Sequence, residues 1–172
     1  MLPLSNAASR IKGQEMFQIL ATARELERKG QDILHFELGD PDFSTPDNIV
    51  NAAFNSLNEG DTHYTPSSGL HDLKLMAQKV TLKSRGFTPD IDQLVVTSGA
   101  NVQIYYAIAC TVNPGDEVIV PDPGFVSYYS ILNFLNVKSV PVPLREELGF
   151  TMNPEDIEKA IGDNPCSLFE AL

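Results

Sequence analysis

A chain of 172 residues is long enough for one domain, or for one domain and part of a second. With 42% apolar and 20% charged residues it reads as globular, which excludes a disordered, repetitive or low-complexity chain. A formal net charge of −11 argues against nucleic acid or an anionic membrane as partner, because counterion release needs clustered Lys and Arg. A local positive pocket for a phosphate stays compatible with an acidic surface.

The N-terminal stretch MLPLSNAASRIKGQ has no apolar core of the secretory kind. It carries Arg10 and Lys12 and no acid before Glu15, and reads as an exposed arm, with an organelle-targeting leader as the alternative. No apolar run approaches the roughly 18–20 residues that span a bilayer. Cys110 and Cys166 make neither a disulfide framework nor a metal spacing. Cys110 lies in an apolar helical run as core filler, and a reducing, cytoplasmic setting is expected.

Along the chain, Met16, Phe17, Leu20, Ala23 and Leu26 recur at helical spacing and predict an amphipathic helix over 14–28. A short strand is predicted over 33–38, followed by the turn-rich GDPDFSTP. Thr45, Pro46 and Asp47 predict a helix start, with Thr45 capping and Pro46 in the first turn. From there Ile49, Ala53, Phe54 and Leu57 are expected to face the core. A third helix over 70–85 should stop at Gly86.

From residue 93 the pattern alternates. Strands are predicted over 94–97, 117–120 and 137–142, with helices over 100–112, 125–135 and 153–161. The strands are short and apolar with little alternation, as when both faces are covered. The helix from Ala100 is apolar nearly all round and is expected inside the protein. The predicted fold class is α/β with a mostly parallel sheet and flanking helices.

In such sheets ligands bind at the carboxyl ends of strands, so two junctions matter. At TSGAN, a strand meets a helix through Ser98, Gly99 and Ala100. Outward N–H groups of Gly99, Ala100 and Asn101 would form an anion site open to a phosphate; the alternative is an ordinary turn with Ser98 as helix cap. At PDPGFVSYY, two prolines fix the chain and Gly124 permits an unusual backbone angle. Phe125 is then either a stacking platform for a flat heterocycle or a core residue. Tyr128 and Tyr129 read as packing residues. In HYTPSSG, Tyr64 is either a hydrogen-bond donor to a phosphate or a structural tyrosine, and His63 has no identifiable partner. His35 and His71 carry no assigned role, and Glu146 with Glu147 reads as a solvated turn before Gly149. The sequence has no G-x-G-x-x-G, P-loop, nucleophile elbow or zinc spacing.

Taken together, ELGDPDFSTPDNI, THYTPSSGLHDL, VVTSGANVQ and NPGDEVIVPDPGFVSYY, with the apolar strand after them, resemble the class I/II aminotransferases. These are fold-type I pyridoxal-phosphate enzymes of the aspartate-aminotransferase-like kind, and order and spacing match from about residue 10 to about residue 161. The resemblance implies pyridoxal 5'-phosphate as cofactor and amino-acid and 2-oxo-acid substrates. It places Gly39 against the substrate carboxylate, Ser98, Gly99, Ala100 and Asn101 at the cofactor phosphate, and Phe125 on the pyridine ring. It puts Tyr64 at the phosphate of the neighbouring subunit's cofactor, hence a homodimer. It implies an arm, helix and strand of the small domain over 1–45, and the first part of the large cofactor-binding domain over 46–172.

Two departures follow. Acid-specific relatives often carry tryptophan where Phe125 stands; phenylalanine stacks but cannot donate, which leaves aromatic, neutral or broad amino donors open. The family continues past the helix near Ile161 into a strand, an aspartate for the ring nitrogen, the Schiff-base lysine and an arginine. Here GDNPCSLFEAL follows, does not read as that strand, and no lysine of the chain holds that position. The expectation is a truncated, frame-shifted or alternatively spliced product with an open sheet edge, inactive alone. A non-catalytic fragment pairing with a full-length relative, and another fold-type I enzyme such as a carbon–sulfur lyase, are the alternatives.

Overall fold

The computed structural model describes residues 3–11, 15–161 and 166–168. Its helices are α1 (Glu15–Arg28), α2 (Asp47–Asn58), α3 (His71–Arg85), α4 (Ala100–Thr111), α5 (Val126–Leu135) and α6 (Pro154–Ala160). Its strands are β1 (Glu117–Asp122), β2 (Lys138–Pro143) and β3 (Cys166–Leu168), all parallel, in the order β2-β1-β3. The predicted α/β class with a parallel sheet is what forms. By chain contact the molecule divides into two compact units, one of residues 1–38 and 101–172, the other of residues 39–100.

The first unit owns the sheet. Glu117 of β1 registers against Lys138 of β2, and each following residue pairs in step to Asp122 and Pro143. Val118, Ile119 and Val120 are all buried, as a central strand covered on both faces must be. Ile108 of α4 and Tyr128 and Leu132 of α5 close over Val118, Val120 and Val137, with Ile104 and Val112 packed beside them. Each fully buried aliphatic side chain of this kind contributes about 1.5–3 kcal/mol. α5 ends on Asn136 in the left-handed conformation (φ 58°), which a short polar side chain tolerates. Asn153 caps α6 by accepting from the Glu155 amide at 3.0 Å, and Arg145 pairs with Asp156 of the same helix.

Several expectations change here. α4 is not enclosed: Ile108 is fully buried, but Val102 is 37% and Tyr106 53% exposed, and Cys110 is exposed rather than core filler. One side of the helix packs on α5 and β1, and an all-round apolar pattern cannot say which sides find a partner. The arm is not free either. Arg10 donates from Nε to the Asn133 carbonyl and from Nη2 to the Phe134 carbonyl, both at 3.0 Å, placing a cation at the carbonyl end of α5. Residues 166–168, which did not read as a strand, pair with Glu117–Ile119. Three residues carry too little pattern to announce a strand, and the open edge of β1 recruits them. The strand predicted over 33–38 does not form; that stretch is irregular.

The second unit holds α2 and α3. Pro46, not Thr45, occupies the cap of α2, with no side-chain cap bond. Ile49, Phe54 and Leu57, expected to face a core, are 54–61% exposed, and Ala53 is exposed as well. Nor do residues 94–97 form a strand: the Val96 amide donates to the Ser68 carbonyl at 3.0 Å instead of joining a ladder. α3 stops at Gly86 in the left-handed conformation, as predicted. Among the described residues no helix is long and apolar enough to cross a membrane.

Candidate functional site

Of the predicted site residues, Gly39, Tyr64, Ser98, Gly99 and Ala100 belong to the unit of residues 39–100, and Asn101 and Phe125 to the sheet unit. Within the former, Ser98 and Gly99 directly precede α4, which begins at Ala100. Gly99 has φ 91°, a region that favours glycine, and a Cβ placed there would meet nothing within 4 Å. The turn is braced from within: the Gly99 amide donates to the Thr97 carbonyl at 2.8 Å, and Thr97 Oγ1 donates to the Gly99 carbonyl at 2.9 Å.

This corrects one part of the expected anion site. The Gly99 N–H is spent on Thr97 and is not aimed outward with its neighbours. Asn101 lies in the first turn of α4, and the first N–H groups of a helix have no acceptor inside it. The first turn of α4 contains no acidic side chain, which leaves the positive helix end without a local counter-charge from that turn. The open space at Gly99 allows close approach to the backbone.

Tyr64 is fully exposed. Gly39 is exposed too, and a Cβ added there would meet nothing within 4 Å. Neither has a packing role in its own unit. The same unit contains a residue the pattern did not flag: Lys74 of α3 is 5% exposed and donates to Ser68 Oγ at 3.2 Å. It ties the loop of Pro66 to Gly69 to the helix that follows. A lysine at an apparently solvated helix position carries no sequence mark of burial.

In the sheet unit, β1 ends at Asp122, and the Asp122–Pro123 peptide is cis. Gly124 is required for a different reason than predicted. Its φ is not in the left-handed region; a Cβ would lie 2.2 Å from the Pro121 carbonyl oxygen. Phe125 caps α5 in extended conformation (φ −67°, ψ 127°) and is 45% exposed, so it is not a core residue here. Its ring meets that of buried Tyr128 at 5.8 Å and 84°, an edge-to-face contact that fixes the Phe125 ring at the end of the strand.

Tyr128 and Tyr129 behave as packing residues. Burial pushes the Tyr128 phenol up from its ordinary range. Burial, and then the Asp122 carboxylate, do the same for Tyr129, whose hydroxyl donates to the Pro121 carbonyl at 3.2 Å. Both stay protonated near neutrality. Asn101 lines an open groove of about 350 Å³ between α4 and α5, with Tyr105, Tyr106, Ser127 and Ile131. Among the described residues no group of three or more His, Cys, Asp or Glu side chains could hold a metal.

Residues 31–169 match the family model for aminotransferases of class I and II. A probable aspartate/prephenate aminotransferase of Rhizobium leguminosarum is 36% identical over 158 residues, covering 92% of this chain and 40% of that protein. An arginine–pyruvate transaminase of Pseudomonas aeruginosa is 39% identical over 133 residues, covering 77% of this chain and 34% of that protein. Among solved structures, the aspartate aminotransferase of Thermus thermophilus with maleate superposes with a TM-score of 0.89 at 31% identity, covering 98% of this chain and 44% of that one. The chain spans about two fifths of the length of the curated relatives it matches.

Proposed function

The chain belongs to the class I and II aminotransferase family, and we propose that it forms the cofactor-facing first part of a pyridoxal 5'-phosphate-dependent aminotransferase. The observation that carries this is the match over 31–169, a span that includes Gly39, Tyr64, Ser98–Asn101 and Phe125. The substrates are an amino acid and a 2-oxo acid. When bound, the cofactor supplies an electron sink for carbanion chemistry.

What this chain contributes is binding and orientation. The Ser98–Gly99–Ala100–Asn101 turn receives the phosphate at the start of α4. Phe125, kept rigid by Tyr128, is the platform for the pyridine ring. Gly39, with no side chain, lets the substrate carboxylate approach. Tyr64, fully exposed, reaches the cofactor phosphate of the neighbouring subunit in a homodimer, which makes each site shared. On this reading, residues 1–45 belong to the small domain and 46–172 to the large one, and the assembly works in the cytoplasm. We propose further that none of the lysines in this sequence is the family's cofactor-attachment lysine. On that proposal the nucleophile and proton carrier is supplied from elsewhere, and these residues alone bind without turnover.

Equilibrium dialysis of the chain against pyridoxal 5'-phosphate tests this reading. Saturable binding is expected, weakened roughly fivefold by Phe125→Ala, in line with about 1 kcal/mol for an aromatic stack. Borohydride treatment is expected to trap the cofactor on no single lysine. Binding that ignores Phe125→Ala, or a stoichiometric adduct on one lysine, overturns the proposal.

A further inference from the structure

His35 is held between two carboxylates on different elements. Its Nε2 lies 2.9 Å from Oε1 of Glu27, in the last turns of α1, and its Nδ1 lies 2.6 Å from Oε1 of Glu37 in its own segment. An ionised carboxylate only accepts hydrogen bonds, so both contacts are made only when both ring nitrogens carry protons. The Glu37 side chain is 8% exposed, against 41% for Glu27. Its charge is held first by His35 and then by the backbone amides of Glu37 and Phe36, so losing His35 removes its largest single support.

The stretch 31–38 has no ladder of its own; it is irregular backbone. Alternation along it turns Leu34 and Phe36 outward, 80% and 90% exposed, while His35 and Glu37 pair with each other and His35 with α1. No apolar contact of those two side chains holds the segment down. Among the described residues, the charged groups that face His35 are Glu27 and Glu37 alone; Lys29, at the same end of α1, is engaged by Glu25 at 2.7 Å.

We propose that His35 is a proton-operated clasp that fastens the 31–38 segment to the end of α1 and releases it when the imidazolium loses its proton. The bonds to Glu37 and then Glu27 raise the His35 pKa above 6.5, and the bond to His35 lowers that of Glu37 below 4.5. The sign follows. The histidine contribution is fully present below pH 6.5 and is lost as pH rises through the raised value of the folded chain. On the acid side, the Glu37 contribution is present above pH 4.5 and is lost as pH falls through its lowered value. The clasp is closed between these limits. It stands independently of the cofactor reading; where that reading holds, the same proton sets how firmly the chain is fixed two residues before Gly39.

Limited proteolysis of the 172-residue chain by a protease active across this pH range, followed by mass spectrometry and corrected by cleavage of the unfolded peptide, tests the clasp. The peptide over 31–38 is expected to lose protection several-fold in one step above pH 6.5, while the peptide over β1 does not change. His35→Lys, which keeps a cation on the segment, should hold protection through that step, and His35→Ala should lack protection at every pH. Glu27→Gln and Glu37→Gln should each move the step to lower pH, which gives a readout even where the alanine variant misfolds. A wild-type profile without a step, or one that neither glutamine variant shifts, overturns the proposal.

Discussion

In the sheet unit Val118, Ile119 and Val120 are 0–1% exposed, while in the unit of residues 39–100 Ile49, Phe54 and Leu57 stay 54–61% exposed. Both sets sit on regular elements with apolar faces, so patterning alone does not separate them. What differs is the supply of partners. β1 is flanked by β2 and β3 in the sheet and takes α4 and α5 over its side chains. α2 and α3 are bounded by loops, and no hydrophobic residue between Gly39 and Ala100 reaches full burial among the described residues. An apolar stripe states which face is available for burial; a core needs a second surface.

The sharpest way to break that contrast is a matched pair of truncations. Leu132→Ala, in the α5 layer over the sheet and 1% exposed, should cost about 2–5 kcal/mol of stability. Phe54→Ala, at 61% exposed, should stay within about 0.5 kcal/mol. Urea unfolding followed by circular dichroism measures both, and equal losses would show that the α2 face is packed after all.

A smaller effect is expected where backbones approach closely, and here both units are sensitive. Gly124→Ala puts a methyl 2.2 Å from the Pro121 carbonyl, and Gly69→Ala puts one 2.5 Å from Val96 Cγ2 at φ 101°. Each should destabilise by about 1–3 kcal/mol through forced backbone movement. Gly124→Ala should also displace Phe125 and, on the proposed function, weaken binding of pyridoxal 5'-phosphate, whereas Gly69→Ala should loosen only the loop that Lys74 holds. If the second change is the more costly for binding, the roles assigned to the two loops are reversed.

The smallest effect concerns the edge of the sheet unit. Asn153→Ala removes the cap of α6 and should cost about 1 kcal/mol. The neighbouring Arg145 guanidinium holds the Asp156 carboxyl below its ordinary value of 3.8. That contribution is present above pH 3.8 and is lost as pH falls through the lowered value, so Asp156→Asn should flatten the acid limb of an unfolding titration.

The sequence alone announces helices α1, α3, α4, α5 and α6 and strands β1 and β2 to within a residue or two, and the α/β class. Those follow from periodicity and from stop signals such as Gly86, which are local and therefore readable. It also determined the family, through motifs whose spacing survives from ELGDPDF to PGFVSYY. Only the tertiary structure decided which apolar faces are covered, that residues 166–168 pair with β1, and that residues 33–38 and 94–97 do not pair at all. It decided that Gly124 answers to space rather than to backbone angle, and that Gly99 spends its amide on Thr97. Arg10 at the end of α5, Lys74 against Ser68 and His35 between two glutamates were illegible for the same reason. A residue's partner across the fold leaves no trace in its neighbours along the chain, since distance in space is set by how elements pack and not by their order.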